Sequence, residues 1–450
     1  MKVFLKFILQ ETFDEVQILH SLIQRIDTKN ELCLVTLALF QTLVNLNSED
    51  VMIELVLKYL LPCNHVMGSQ RKMIQEMDLY GKVAVRFLTS IPSCCYSHVQ
   101  SESISTAEDA PVEGNSSKEK QTNVSAEELG SLSSDFLNYL LDVRKNLSER
   151  RMACSCWSAH WDGLDPSYEN ADTADKPVSN GTVMHTSTSS PEISQLCKNE
   201  DKPARKRSLS IENDKLEVLL GPFITKLFTK LEKMPENSIA LNEVLTGIIS
   251  SLAEYPQPLL RSFLLNHSLV LQPDVKSIFQ ILNSVKARVE SNLSQLDNLQ
   301  QPLMLAKQNL IEREETRKRA VSPKVSQPAS PKSSRDRTKS GRSSSNSPSR
   351  IKTPEVPSPY RNTFVERKNF IVGPVDSSSS DQDLENAIGQ ASSWILLNLG
   401  PKGISRERTR SKHISKIKNT VYCAVLMEEW MKELAAISLE HAVQPYPDFD

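Results

Sequence analysis

Asn242-Glu243-Val244-Leu245-Thr246-Gly247-Ile248-Ile249-Ser250-Ser251-Leu252-Ala253-Glu254, then Tyr255-Pro256-Gln257-Pro258, then Leu259-Leu260-Arg261-Ser262-Phe263-Leu264-Leu265-Asn266: this stretch decides the fold class. Leu241, Leu245, Ile248, Ile249 and Leu252 recur at helical spacing and make one apolar face. Tyr255 to Pro258 breaks the pattern, and Pro258 stands where a first-turn proline starts the next helix, Leu259 to Leu265. Upstream, Phe223, Leu227, Leu231 and Met234 form a stripe behind Gly221-Pro222. Downstream, Asp274 is expected to cap a helix carrying Val275, Ile278, Phe279, Leu282, Val285 and Val289 on one side. No alternating strand pattern of comparable length occurs. Successive antiparallel helices joined by short proline turns predict an all-α fold, either a helical-repeat (α-solenoid-like) stack or an irregular bundle. No fixed-period self-similarity assigns a repeat family.

The same reading extends to both ends. Residues 1–96 read as helices throughout: Phe4, Ile8, Phe13, Val16 and Leu19 keep an approximate helical rhythm. Asn30 is expected to cap a helix with Leu32, Val35, Leu39, Leu43 and Leu46 on its buried side. Ser48 opens another, with Glu49 and Asp50 in its first turn, and Pro62 stops it after Leu61. A further helix is predicted from Gln70 to Thr89. Residues 97–212 are polar apart from the island Phe136-Leu137-Asn138-Tyr139-Leu140-Leu141, and predict a mostly disordered insertion with one short helix near 135–147. Residues 213–316 continue the helical scaffold. Residues 317–362 predict a disordered basic Ser/Pro-rich linker; 317–361 holds twelve Ser, seven Pro, twelve Lys or Arg and two acids, a local charge of +10. Residues 363–450 predict a C-terminal helical segment: Leu384, Ile388, Ala391 and Ile395, a basic strip from Arg406 to Lys418, and a helix holding Val421, Val425, Trp430 and Leu434.

Composition narrows the function classes. The 450 residues carry 53 Lys+Arg against 55 Asp+Glu, a net charge of −2, which excludes a uniformly basic nucleic-acid binder. The longest nearly continuous apolar run, Leu32 to Phe40, is nine residues, too short to span a membrane, which needs about 20. The start, Met1 to Leu9, is interrupted by Lys6 and followed by Glu11, Asp14 and Glu15, unlike a signal peptide. Eight cysteines in this length are too sparse for a disulfide scaffold and fit a reducing compartment, cytosolic or nuclear.

Catalytic motifs are weak. Cys154-Ser155-Cys156-Trp157 has one residue between its cysteines where the papain-type signature has two. Cys154, Cys156 and His160 supply three of the four ligands a structural zinc needs, at a spacing narrower than usual; free thiols near an aromatic helix face are the simpler reading. Cys63-Asn64-His65 reads as a turn, and adjacent Cys94-Cys95 makes a poor disulfide. Neither a Walker A loop, a Gly-rich dinucleotide fingerprint, a His-Glu-x-x-His motif nor a kinase signature is present, and no cofactor is expected. The basic tract carries five Ser/Thr-Pro sites, Ser322, Ser330, Ser347, Thr353 and Ser358. Phosphates of about −1.5 to −2 each would cancel most of its charge, so it reads as a phosphorylation-tunable linker, against the alternative of an unregulated one. Ser208 and Ser210, following Arg205-Lys206-Arg207, resemble a basophilic kinase site.

Four strings carry a resemblance: Glu49-Asp50-Val51-Met52 leading to Tyr59-Leu60-Leu61-Pro62-Cys63-Asn64-His65; Pro92-Ser93-Cys94-Cys95; Asn242 to Asn266; and Val421-Tyr422-Cys423-Ala424-Val425-Leu426-Met427-Glu428-Glu429-Trp430 to Glu440-His441-Ala442. Together they resemble the FHIP family, the Hook-interacting subunits of the FTS–Hook–FHIP complex. The match covers the helical blocks, about half of the chain, and skips the polar segments. The resemblance implies a non-enzymatic helical scaffold that joins FTS, a ubiquitin-conjugating-enzyme variant, to Hook coiled-coil proteins and through them to dynein. It further implies attachment to endosomal vesicles through a Rab-family GTPase, a link to the HOPS complex, and a cytoplasmic, peripherally endosomal location without nucleic acid. Family members are longer at the amino end, so the chain is expected to begin inside the helical array. Leu259, Leu260, Phe263 and Leu264 are candidates for a partner surface, against the more ordinary reading that they are core. The competing function is a nuclear or microtubule-associated polyanion binder acting through 317–361.

Overall fold

The computed structural model describes residues 2–28, 31–74, 80–96, 133–159, 161, 204–321, 379–392 and 404–443. The fold among them is all-α, with fourteen helices and one two-residue hairpin. The disorder expected for most of 97–212 and most of the linker, together with Ser322, Ser330, Ser347, Thr353, Ser358, Asn30 and His160, lies outside the described residues, while 204–212 and 317–321, expected to be disordered, are helical.

α1 (Lys2–Gln10) buries Leu5, Ile8 and Leu9. The helical rhythm expected through Leu19 is then interrupted by β1 (Thr12–Phe13) and β2 (Val16–Gln17), which pair Phe13 with Val16. The cause is the connecting pair Asp14-Glu15, whose φ angles of 50° and 64° make the left-handed two-residue turn that closes a hairpin. α2 (Ile18–Arg25) and α3 (Glu31–Asn45) follow. α4 (Glu49–Met52) continues through a π-helical turn, Ile53–Leu57, into α5 (Lys58–Leu60). Ser48 stands at the N-cap without a side-chain capping bond, so Glu49 and Asp50 are what oppose the dipole there. Instead of one helix from Gln70, a 3-10 segment covers Gly68–Ile74 and α6 spans Tyr80–Thr89. Backbone groups here are committed elsewhere: Met67 N donates to Val270 O at 3.1 Å, Gln272 N to His65 O at 2.9 Å, and the Asn266 amide holds Met73 O at 3.1 Å.

α7 (Ser133–Cys154) overruns its expected end near 147, because Leu147, Arg150 and Cys154 all find buried sites. α8 (Ala204–Glu232) is kinked at Gly221. α9 (Ile239–Ala253) is capped by the Ser238 side chain on Leu241 N, and α10 (Pro258–Leu265) starts on its proline as expected. α11 (Ile278–Leu293) begins later than Asp274 predicts. Ser277 is the cap, and its reciprocal bonds with Gln280 complete a capping box that Asp274 cannot form. α12 (Gln300–Val321) and α13 (Ser379–Ala391) lead to α14 (Ile404–Val443), 40 residues in which the basic strip and the terminal apolar segment form one helix.

The core joins segments far apart in sequence. α3 packs on α9, and α14 packs on α6, α7, α9, α11, α12 and α13. Phe40 meets Phe223 at 4.8 Å between ring centroids, Phe87 meets Phe279 at 4.7 Å, and Phe228 stacks on Phe263 at 5.7 Å. Trp430 at the middle of α14 is fully buried and donates its indole N–H to Ser250 Oγ at 3.0 Å. A helix buried nearly all round needs neighbours on every side, which is why α14 is apolar from Val421 to Met427 without a polar stripe.

Candidate functional site: the buried C-terminal helix

α14 also carries Glu428, Glu429, Glu433 and Glu440, each under a tenth exposed. Carboxylates taken from water need cations or donors close by. Lys432 lies one turn on, with Nζ 3.1 Å from Glu428 Oε1 and 3.0 Å from Glu429 Oε1. From α12, Lys307 Nζ reaches Glu428 Oε2 at 2.7 Å. From α7, the Tyr139 hydroxyl donates to Glu429, and Arg144 grips Glu440 with two bonds of 2.9 and 3.1 Å. Burial works against the charge on Lys432, but Glu429 and Glu428 outweigh it and hold its pKa above the ordinary lysine value. Burial likewise opposes ionisation of Glu429; the charge of Lys432 and the Tyr139 bond overcome it and keep the carboxyl below its usual value. The Lys432–Glu429 pair therefore stays ionised, and the bonds from Tyr139, Arg144 and Lys307 tie α7 and α12 to α14.

A second polar node fastens α7 to the opposite side. Arg150 pairs with Glu254 at 3.2 Å, donates to Asn47 Oδ1 at 2.7 Å, and lies over the Tyr255 ring at 4.5 Å. The Tyr255 hydroxyl donates to Val44 O at 2.6 Å. Just beyond α7, Trp157 Nε1 donates to Asn47 O at 3.1 Å, while Ser158 N and Trp161 Nε1 both donate to Glu49 at 2.8–2.9 Å. Trp161 O in turn accepts from Leu259 N at 3.3 Å.

Cys154-Ser155-Cys156-Trp157 forms the end of α7 and the turn that follows it. Cys154 is buried, and desolvation pushes its thiol up to about 11, so the thiolate that nucleophilic or zinc chemistry requires is disfavoured there. Cys156 is exposed on the other side of the turn. Among the described residues, no group of three or more His, Cys, Asp or Glu is placed to hold a metal ion. Cys63 sits in a turn at φ 52°, and His65 next to it is buried edge-on to Phe263 at 5.5 Å. Cys94 and Cys95 are both free thiols.

The partner-surface candidates need correction. Leu259, Leu260 and Leu264 are at most 1% exposed and Phe263 is 3% exposed, so all four are spent on the core between α9, Phe228 and the 3-10 segment. A stripe with apolar residues on both sides of a short helix is what a doubly packed helix presents. Ser208 and Ser210 fall within the first turns of α8. The buried cluster of α14 was missed by sequence reasoning. Its signal was available: Glu428-Glu429 and Lys432 inside an otherwise apolar helix can be buried only as mutually paired groups.

Three family descriptions match the chain: "Retinoic acid induced 16-like protein" over residues 1–60, "Family of unknown function (DUF5917)" over 220–313, and "KELAA motif" over 416–446. The last coincides with the buried half of α14, where Lys432-Glu433-Leu434-Ala435-Ala436 stands. An FHIP family protein of Nematostella vectensis is 33% identical over 99% of this chain and 58% of its own length. The FHF complex subunit HOOK-interacting protein 1B of Rattus norvegicus is 35% identical over 98% of this chain and 51% of its own. The human HOOK-interacting protein 1A is 37% identical over 38% of this chain and 18% of its own. The chain thus spans between half and three-fifths of the length of the relatives it matches throughout. The three matched blocks are the ones that interlock, α3 on α9 and α9 on α14.

Proposed function

We propose a function from one premise: the chain belongs to the FHIP family, whose relatives match it over 98–99% of its length. It acts as a non-enzymatic adaptor, a subunit of an FHF complex that binds Hook proteins, as the names of its relatives say of them. The finer reading has it join FTS and a Hook carboxy-terminal segment, link Hook-bound dynein to endosomal vesicles through a Rab-family GTPase, and engage the HOPS complex in the cytoplasm. The observation that carries the coarser reading is sequence identity running through all the interlocked helical blocks, so that what is shared is the whole scaffold and not one motif. A scaffold of this kind binds by burying a surface patch with a polar rim and performs no chemical step. No described helix is long and apolar enough to cross a membrane.

Co-purification tests this. Tagged chain 1–450 is expected to elute with both FTS and Hook, and to keep doing so when 317–361 is deleted. Folded chain that captures neither overturns the adaptor reading. Loss of all partners on deleting the +10 tract instead favours the polyanion-binding alternative.

A further inference from the structure

The first half of α14 differs from the buried half. Between Arg406 and Lys418 it holds six Lys or Arg and one Glu, a local charge of +5. Ile414 and Ile417 turn toward the fold, and Lys418 pairs with Glu385 and Asp381 of α13 at 2.5 and 3.8 Å. Arg408, Arg410, Lys412 and Lys416 are exposed, and none forms an ion pair or hydrogen bond with another described residue. Arg408, Lys412 and Lys416 recur every four residues, so they form a single row with steps of about 6 Å along the helix axis. Lys416 ends the row at the wall of a groove of about 350 Å³. The opposite wall comes from α11, with Arg288, Ser284, Ser291 and Asn292, against one acid, Glu236, that Arg288 already pairs at 2.6 Å.

We propose that this cationic row, with the polar groove at its foot, is a docking surface for an acidic segment of a partner protein. Charge complementarity selects the sign: the four exposed cations have no carboxylate partner among the described residues, whereas Arg313 and Lys418 pair with Asp381 and Glu385 of α13. The chemistry selects a protein over the alternatives. Among the residues of α13 and of 408–424 in α14 whose burial is described, none exposes a large apolar side chain for insertion into lipid. No aromatic side chain lies along the row to stack on bases. Hydroxyl, amide, ammonium and guanidinium donors spaced at one helical turn fit carboxylates spaced likewise. The inference does not depend on which partner the adaptor reading assigns.

The test uses the full chain and a fluorescein-labelled oligoglutamate peptide of about twelve residues, read by fluorescence anisotropy near 0.15 M salt, where the Debye length is about 8 Å. Two triple variants carry the same change in charge: Arg408→Glu/Lys412→Glu/Lys416→Glu on the row, and Arg335→Glu/Arg337→Glu/Lys339→Glu in the basic tract. The row variant is expected to weaken binding about tenfold or more, some 1.4 kcal/mol, and the tract variant less than about twofold. Circular dichroism and the neutral set Arg408→Gln/Lys412→Gln/Lys416→Gln separate loss of the surface from loss of the fold. Equal weakening by both charge-reversed variants overturns the proposal, because net charge would then suffice. Absence of peptide binding overturns it too, whether or not phosphatidylserine vesicles capture the chain through the row; such capture would reassign the row to a membrane.

Discussion

Replacing Gly221 by alanine should destabilise the chain strongly, because both the backbone conformation and the space around it exclude a side chain. Gly221 joins the two parts of α8 at φ 79° and ψ 157°, a region that residues with a side chain essentially do not occupy. Holding alanine there costs about 1–3 kcal/mol. The methyl group would also lie 2.4–2.8 Å from three ring atoms of Tyr59, including Cγ, so the ring cannot swing aside by its tip alone. Overpacking of this kind adds about 1–3 kcal/mol, for a total of roughly 2–6 kcal/mol. Urea unfolding followed by circular dichroism reads the loss as a lower midpoint at unchanged slope. A Tyr59→Ala background divides the two causes: with the ring gone, Gly221→Ala should cost only the backbone part. A cost under about 0.5 kcal/mol in the wild-type background would refute the reasoning entirely. A cost that vanishes in the Tyr59→Ala background would refute its conformational half.

Three further outcomes follow from buried groups. Burial, then Arg71, lowers the His65 pKa to about 4, and burial, then Arg261, lowers that of His441 to about 3. Both rings are therefore neutral in the fold; their contribution is full above about pH 6.5 and is lost as pH falls toward those values. Each should cost about 2 kcal/mol between pH 7 and 5, and urea midpoints of His65→Phe should show a shallower pH dependence than wild type. Arg150→Met strips the guanidinium from fully buried Glu254 and should cost about 3–5 kcal/mol, with partial recovery in Arg150→Met/Glu254→Leu measured by thermal unfolding. Iodoacetamide applied to native protein should label exposed Cys156 and spare Cys154, and peptide mass mapping that finds Cys154 equally labelled would contradict its burial.

How much of this was legible in the sequence follows the range of the interactions. Leu245, Ile248, Leu252, Ile278, Leu282 and Val285 declare themselves by period, and all are buried as the period requires. Pro258 at the first position of α10 was legible for the same local reason. Where a distant residue decides, the reading fails. Phe13 and Val16 fit a helical stripe by spacing, but the two positive-φ residues between them form a hairpin that spacing cannot reveal. The predicted helix from Gln70 gives way to a 3-10 segment whose Met73 carbonyl is held by the side chain of Asn266, 193 residues away. The start of α11 fails because two good capping residues, Asp274 and Ser277, compete, and only Ser277 has Gln280 three positions on.

The partner surface was misread for a reason that also says where to look for one. Leu259, Leu260, Phe263 and Leu264 drew attention because they are apolar, yet α10 is packed on two sides and has no apolar face to spare. In α14 the opposite holds. Its buried half uses its glutamates to fasten α7 and α12, so those charges are structural and inaccessible, while its first half leaves unpaired cations exposed. Apolarity marks the core of such a scaffold, and polar residues mark two different things according to burial. A buried charge with partners reports how helices are held together; an exposed charge without one is where a second protein can gain by arriving. On that criterion Arg408, Lys412 and Lys416 are stronger candidates for recognition than any leucine of the chain, because a charge-reversed row should lose a partner without losing the fold.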